Sequence, residues 1–221
     1  MTLNLVWHIL MLVSTDIIER VKYSFMASTR KQDTTEKLIT AAIELFSKNG
    51  YSGVTTEEIA KEAGFSEKTL FRHFKSKQNL LEQAIDRYHY ANEMGAIFSS
   101  KLTWNLYDDL ILISQNYHRI MYRNRKMLKL LMKIGENVPG LHQYSHKHPQ
   151  ALKEYLIKYF EEMKEKKKIV PVDPKNVAEI YLYQNFGLSH GRMNGDLASN
   201  VEEFEKLIED SVSIFTRGLT P

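Results

Sequence analysis

The sequence predicts an all-α protein: an N-terminal three-helix unit of helix-turn-helix type, then a larger domain of longer helices. Three observations predict it. Apolar residues recur at three- and four-residue spacing along almost the whole chain, and strand-type alternation persists nowhere. Short segments with capping residues crowd residues 33–77, and the periodic stretches lengthen after residue 100. Within 55–77, TTEEIAKEAGFSEKTLFRHFKSK, two segments flank Ala63-Gly64-Phe65-Ser66, and each is too short to be stable alone.

The bulk numbers set the frame. The chain has 221 residues, 43% hydrophobic and 26% charged, which fits one or two ordinary globular domains. A formal net charge of +3 argues only weakly for an anionic partner. The absence of cysteine excludes disulfides and thiolate metal sites and fits a reducing, cytoplasmic setting. The organisation expected is an N-terminal extension or arm over 1–32, a helix-turn-helix domain over 33–77, and a helical effector-binding and dimerisation domain over 78–221.

The apolar run Leu3 to Val13 is too short for a bilayer, which takes about 20 residues, and no Lys or Arg opens it as in a signal peptide. MASTRKQDTTEKL, from Met26, reads as a natural polar start, so translation is expected to begin there. An added helix or a weak membrane contact is the alternative.

The first helix is expected over 35–48. Asp33 and Glu36 have capping-box spacing, Leu38, Ile39, Ala42, Ile43, Leu45 and Phe46 form its apolar face, and Asn49-Gly50 stops it. A second helix starts at Thr55 or Thr56, again with capping-box spacing to Glu58, and points Ile59, Ala60 and Ala63 inward. Gly64 suits a left-handed turn position. Ser66 caps a third helix, with Leu70, Phe71 and Phe74 as its buried side. Ser76 caps a long fourth helix, 76–99, packed through Leu80, Leu81, Ala84, Ile85 and Tyr88.

Beyond residue 100, helices are expected over 105–122 and 125–136, then a loop over 137–149, NVPGLHQYSHKHP. A helix over 150–167 follows, with Leu152, Tyr155, Leu156, Tyr159, Phe160 and Met163 inward. Asp173 and Pro174 open a helix over 174–193, and a last helix covers 200–217.

Two short helices joined by a tight glycine turn form the helix-turn-helix, whose second helix enters the DNA major groove. Removing the inward positions leaves Glu67, Lys68, Thr69, Arg72 and His73 outward. Lys68 suits guanine acceptors or phosphate, and Thr69 offers a hydroxyl and a methyl. Thr55 and Thr56 stand at a helix N-terminus, which favours phosphate. Lys75 and Lys77 suit backbone contacts. Residues 27–77 hold nine Lys/Arg against seven Asp/Glu, so positive surface must come from clustering.

Residues 35–81 resemble the N-terminal DNA-binding domain of the TetR/AcrR family of transcriptional regulators. The resemblance is continuous through AAIELFSKNGYSGVTTEEIAKEAGFSEKTLFRHFKSKQNLL, and Phe46, Gly50, Thr55-Thr56, Ile59-Ala60, Ala63-Gly64, Ser66, Leu70, Phe74 and Lys77 fall at the family's spacing. It covers roughly a quarter of the chain. It implies a homodimeric repressor, released from a palindromic operator by a small ligand held in the C-terminal domain. The DNA-binding set is then Thr55, Thr56, Ser66, Glu67, Lys68, Thr69, Phe71, Arg72, His73, Lys75 and Lys77. Two positions depart. Phe71 stands where the family often has a tyrosine whose hydroxyl meets phosphate, and Lys68 stands where glycine is frequent.

The C-terminal expectations are looser. Heptad-like spacing marks Val177, Ile180, Tyr181, Leu188, Val201, Phe204, Ile208 and Phe215 as a dimer interface, with an ordinary intramolecular core as the alternative. Trp104, Tyr117, His118 and Met121 are chosen to line an effector pocket for an apolar, partly aromatic small molecule. His142, His146 and His148 read as structural or solvent-facing, a metal-binding protein or enzyme built on them being the rival. No phosphate loop, nucleophile elbow or His-Glu-x-x-His is present, so neither catalysis nor a cofactor is expected.

Overall fold

Helix α1, over 32–49, ends where Gly50 takes a left-handed φ of 75°, a conformation that costs glycine little. The computed structural model describes residues 32–87, 91–134, 141–198 and 200–221, with side chains described except at 134 and 141–148. The extension 1–31, its Met26 start, and Tyr88 lie outside the described residues. Asp33 sits inside α1 and pairs with Lys37 at 2.8 Å, one turn on, so the expected capping box with Glu36 is not formed. Glu36 instead meets Arg87.

Helices α2 (Thr56–Glu62) and α3 (Glu67–Phe74) are two turns each. They stand because Ile59, Ala60, Leu70 and Phe74 join Leu38, Ile39, Ala42, Ile43 and Phe46 of α1 in one core. The expected fourth helix is described as α4 (Lys77–Arg87) and α5 (Ala91–Ser100). Ser76 caps α4 by accepting from Asn79 N–H at 3.0 Å.

Next come α6 (Leu106–Arg123), capped by Asn105, and α7 (Arg125–Ile134). Helix α8 runs Leu141–Glu165 with Pro149 inside it. The loop expected over 137–149 is therefore helical from Leu141. Proline removes one ladder bond, and the turns on either side continue without it. Helix α9 (Pro174–Asn194) opens with Asp173 accepting from Lys175 N–H at 2.9 Å, and closes on left-handed Gly195. Helix α10 is Val201–Leu219, capped by Asn200.

Two cores result. One holds α1 to α4, together with Met127 and Leu130 of α7. The other joins α5, α6, α8, α9 and α10, where α8 lies along α9 and α10 along α6. Burying Met127 and Leu130 is worth about 1.5–3 kcal/mol each, so α7 fastens the small domain to the large one. Among the described residues no helix is long and apolar enough to cross a membrane.

Candidate nucleic-acid interface and the buried polar seam

The presentation of α3 starts from the turn before it. Gly64 has φ of 77°, and Phe65 N–H returns to Ala60 C=O at 2.8 Å, which stops α2 and redirects the chain. Ser66 Oγ accepts from Thr69 N–H at 3.3 Å and caps α3. Thr56 Oγ1 donates to Glu67 Oε1 at 2.6 Å, tying the start of α2 to the start of α3. At Thr55 the capping box is complete: Oγ1 accepts from Glu58 N–H, and Thr55 N–H donates to Glu58 Oε2 at 2.7 Å. Those hydrogen bonds hold the Glu58 carboxyl below its usual range. The angle of α3 is thus fixed by polar bonds at its front and by Leu70 and Phe74 behind.

On this frame Lys68, Arg72 and Lys75 are exposed, and Thr69 is half-buried. Three expectations change. Phe71 is not inward: it is 43% exposed, because it lies on the rim of α3 beside Arg72 and away from the Leu70–Phe74 stripe. His73 is half-buried, its Nδ1 3.0 Å from Thr35 Oγ1, so α1 holds it. Lys77 lies over the Tyr51 ring, 4.4 Å from its centroid, and burial lowers its pKa; its ammonium packs on the protein's own rings. Lys75 ends α3 with φ of 62°, an unusual backbone for a side-chain-bearing residue, and this turns its side chain outward. Glu67, Thr55 and Thr56 serve the frame through the bonds given above.

The larger domain contains a polar seam where α6 meets α9. Ser114 Oγ donates to Asn185 Oδ1 at 2.7 Å and lies 2.7 Å from Tyr181 Oη, which donates to Leu110 C=O at 2.6 Å. One turn along, His118 Nδ1 lies 2.7 Å from Ser189 Oγ. His118 Nε2 is buried with no hydrogen-bond partner among the described residues. Burial, then the nearby Arg192 charge, pulls the His118 pKa down to about 4. Beside it is a cavity of about 10 Å³ lined by His118, Met121, Tyr122, Ser189, Arg192, Met193 and Phe204.

Of the expected pocket residues, His118 and Met121 line this cavity. Tyr117 is buried with its ring edge-on to His118. Trp104 belongs elsewhere: its ring stacks on Tyr159 and carries Lys166 over its face, and its backbone N–H donates to the buried Asp109 carboxylate. That carboxylate also accepts from Thr103 and Tyr159, so Trp104 closes the start of α6. Sequence reasoning missed Tyr122, Asn185, Ser189 and Arg192. A signal existed: Tyr181, Asn185 and Ser189 fall four apart along one helix, facing Ser114 and His118, also four apart.

The expected interface residues divide as well. Val177, Tyr181, Phe204 and Ile208 are buried inside the chain's own core, where heptad-like spacing serves intramolecular packing, so they offer no surface to a partner. Leu188 and Phe215 are partly buried against the same core. Ile180 and Val201 stay exposed, and Tyr183 at 65%, Phe186 and Ile214 join them. The side chains of His142, His146 and His148 lie outside the described residues.

Comparison with known proteins fits this geometry. A sequence profile described as bacterial regulatory proteins of the tetR family matches residues 38–84, from the middle of α1 into α4. The chain is 28% identical over 188 residues to the uncharacterized HTH-type transcriptional regulator YvkB of Bacillus subtilis, covering 85% of this chain and 97% of YvkB. It is 24% identical over 191 residues to IcaR of Staphylococcus aureus, the HTH-type negative transcriptional regulator of the biofilm operon icaADBC, covering 82% and 98%. Its fold superposes on NalD of Pseudomonas aeruginosa, the secondary repressor of the MexAB-OprM multidrug efflux pump. The TM-score is 0.69 at 19% identity, over 86% of this chain and 98% of NalD.

Proposed function

We propose, with the chain's membership of the TetR family of transcriptional regulators as the premise, that it is a homodimeric repressor whose hold on a palindromic DNA operator is relaxed by a small organic effector. The observation that carries the DNA half is the outer face of α3. Lys68, Arg72 and Lys75 stand exposed around Thr69 and Phe71, on a helix whose angle is fixed by Thr56–Glu67 in front and a sealed core behind. Lys68 and Thr69, at the front of the helix, reach base edges, whereas Arg72 and Lys75 neutralise phosphates and Phe71 supplies apolar contact to a thymine methyl or sugar. His73 braces α3 against α1. A second copy reads the other half-site, its recognition helix about 34–36 Å away along one face of the duplex. Repression rather than activation is supported by the negative regulator IcaR, to which the chain is similar over most of its length. A regulator acting on DNA inside the cell places it in the cytoplasm.

Coupling between the domains runs through α4 and α5, and equally through α7. Met127 and Leu130 sit in the DNA-binding core, Lys126 meets Glu44 of α1, and Arg123 meets Glu93 of α5. A ligand that shifts α6 therefore drags α7 against α1 and changes the separation of the paired α3 helices. A coupling of about 1–3 kcal/mol shifts occupancy about 5–150-fold.

The test is selection of a duplex from a random library by the full chain, then binding as a function of salt. The expected result is an inverted repeat bound with a steep salt slope. Lys68→Ala and Thr69→Ala lose sequence preference, whereas Lys75→Ala lowers affinity uniformly and flattens the slope by about one unit. Variants at 68 and 69 that bind the selected duplex as well as the parent does sink the assignment.

A further inference from the structure

Among the described residues, the seam between α6 and α9 ends in a polar atom without a match and a cation without an acid. His118 is 3% exposed, its Nδ1 is met by Ser189, and its Nε2 has no hydrogen-bond partner among the described residues. The Arg192 guanidinium lies 4.2 Å from the Phe204 ring centroid and 4.6 Å from that of Tyr122. Among the described residues Arg192 makes these ring contacts and no ion pair. Between His118 and Arg192 lies the cavity of about 10 Å³, room for roughly one water molecule. A buried donor or acceptor left unmatched costs stability, so its persistence beside a cation requires a reason.

On these observations we infer that the cavity is the seat of a small organic carboxylate, its head between Arg192 and His118 Nε2 and its apolar body against Tyr122, Phe204 and Met121. The inference rests on the reading of the chain as ligand-responsive and names the ligand's class. A planar guanidinium matches a carboxylate through paired hydrogen bonds. An anion at this point selects the His118 tautomer with hydrogen on Nε2, and Ser189 Oγ–H then donates to Nδ1. A cationic ligand is repelled by Arg192, and a neutral one gains nothing from its charge. The body needs more room than one water occupies. Arg192 makes that room by swinging off Tyr122, which is 45% exposed, and the flexible Met121 and Met193 side chains repack around the guest. His118 and Ser189 bridge α6 to α9, so an occupant pressing between them moves α6, the helix that precedes α7.

The experiment is calorimetric titration of the full chain with sodium benzoate and sodium octanoate. Benzamide and benzylamine are the neutral and cationic counterparts, at matched ionic strength. At least one carboxylate is expected to bind once per chain, at least about 10-fold tighter than benzamide, with benzylamine not binding. Arg192→Gln should weaken it about 10- to 100-fold, and Arg192→Lys, which keeps the charge, should weaken it less. Flat titrations with both carboxylates overturn the inference, and so does benzamide binding as tightly as benzoate. If Arg192→Gln fails to fold, the carboxylate-to-amide ratio of the parent decides. A folded Arg192→Gln that binds unchanged also overturns it. Repeating the titrations on the complex with the selected duplex separates the two readings. A carboxylate that binds and leaves DNA affinity unchanged upholds the anion site and refutes ligand-controlled release. A neutral compound that releases the DNA while both carboxylates stay unbound does the reverse.

Discussion

A buried histidine gives the molecule a pH dependence that can be worked out in sign. In the folded chain His118 titrates at about 4, because burial and then Arg192 disfavour its charged form, whereas an unfolded histidine titrates near 6.5. Between these values the unfolded state binds a proton that the folded state refuses. Stability is therefore full above about pH 6.5 and falls as pH drops toward 4, by up to about 3 kcal/mol. Urea denaturation of the parent and His118→Gln at several pH values checks this. The variant should show a flatter profile across that window whatever its stability at pH 7, and parallel profiles would refute the assignment. A second residue-level prediction concerns Thr55, whose side chain both caps α2 and engages Glu58. Thr55→Ala should cost about 1 kcal/mol, seen as a lower urea midpoint, and it should loosen α2 without removing any base contact.

At the scale of the helix, what could be read in advance followed from what is local. The caps at Thr55, Ser66 and Asp173 and the turn at Gly64 are each written in a few adjacent residues, and they appear as expected. Long-range choices were not legible in the same way. Helix α9 carries apolar residues on more than one side: Val177, Ala178 and Tyr181 face the core, whereas Ile180, Tyr183 and Phe186 face out. Spacing alone cannot say which stripe goes inside, and it marks Val177 and Tyr181, which are buried, as interface residues. Phe71 failed for a related reason, since an aromatic next to Leu70 reads as core until the helix is oriented. Helix α8 starts earlier than breaker counting allows, because a proline inside a helix removes one ladder bond without ending the turns around it. The role of α7 was also hidden, as nothing in Met127 or Leu130 names the domain they fill. It carries a prediction: Met127→Ala should destabilise the DNA-binding core by about 2–5 kcal/mol. Met132→Ala, at an exposed site on the same helix, should stay within about 0.5 kcal/mol. Amide exchange of α1 reports it, because faster exchange in the first variant alone places α7 in that core.

For the molecule as a whole the question is what covers the outer face of α9 and α10. Ile180 at 59% exposure, Tyr183, Phe186, Val201 and Ile214 are large apolar side chains left to solvent by a single chain. Scattered apolar residues are ordinary on a surface, but three on one face of one helix form a stripe that water penalises. A helical pair packing against its own copy across a two-fold axis covers the stripe with itself, which is how an isologous interface works. A stable pair buries about 800 Å² per partner, within reach of two helices of about 20 residues. The prediction is that Ile180→Glu together with Tyr183→Glu converts a dimer to a monomer in sedimentation velocity. Circular dichroism should be unchanged, since neither side chain supports the subunit's own core. Affinity for the selected inverted repeat should then drop by about 10²–10⁴, the avidity lost when two recognition helices bind independently. Binding to a single half-site should change little, because Lys68 and Thr69 lie in the other domain. A double variant that stays dimeric sinks the interface. One that turns monomeric yet holds the whole repeat with undiminished affinity shows instead that one subunit suffices for recognition, and pairing through α9 would then have no part in how the DNA is read.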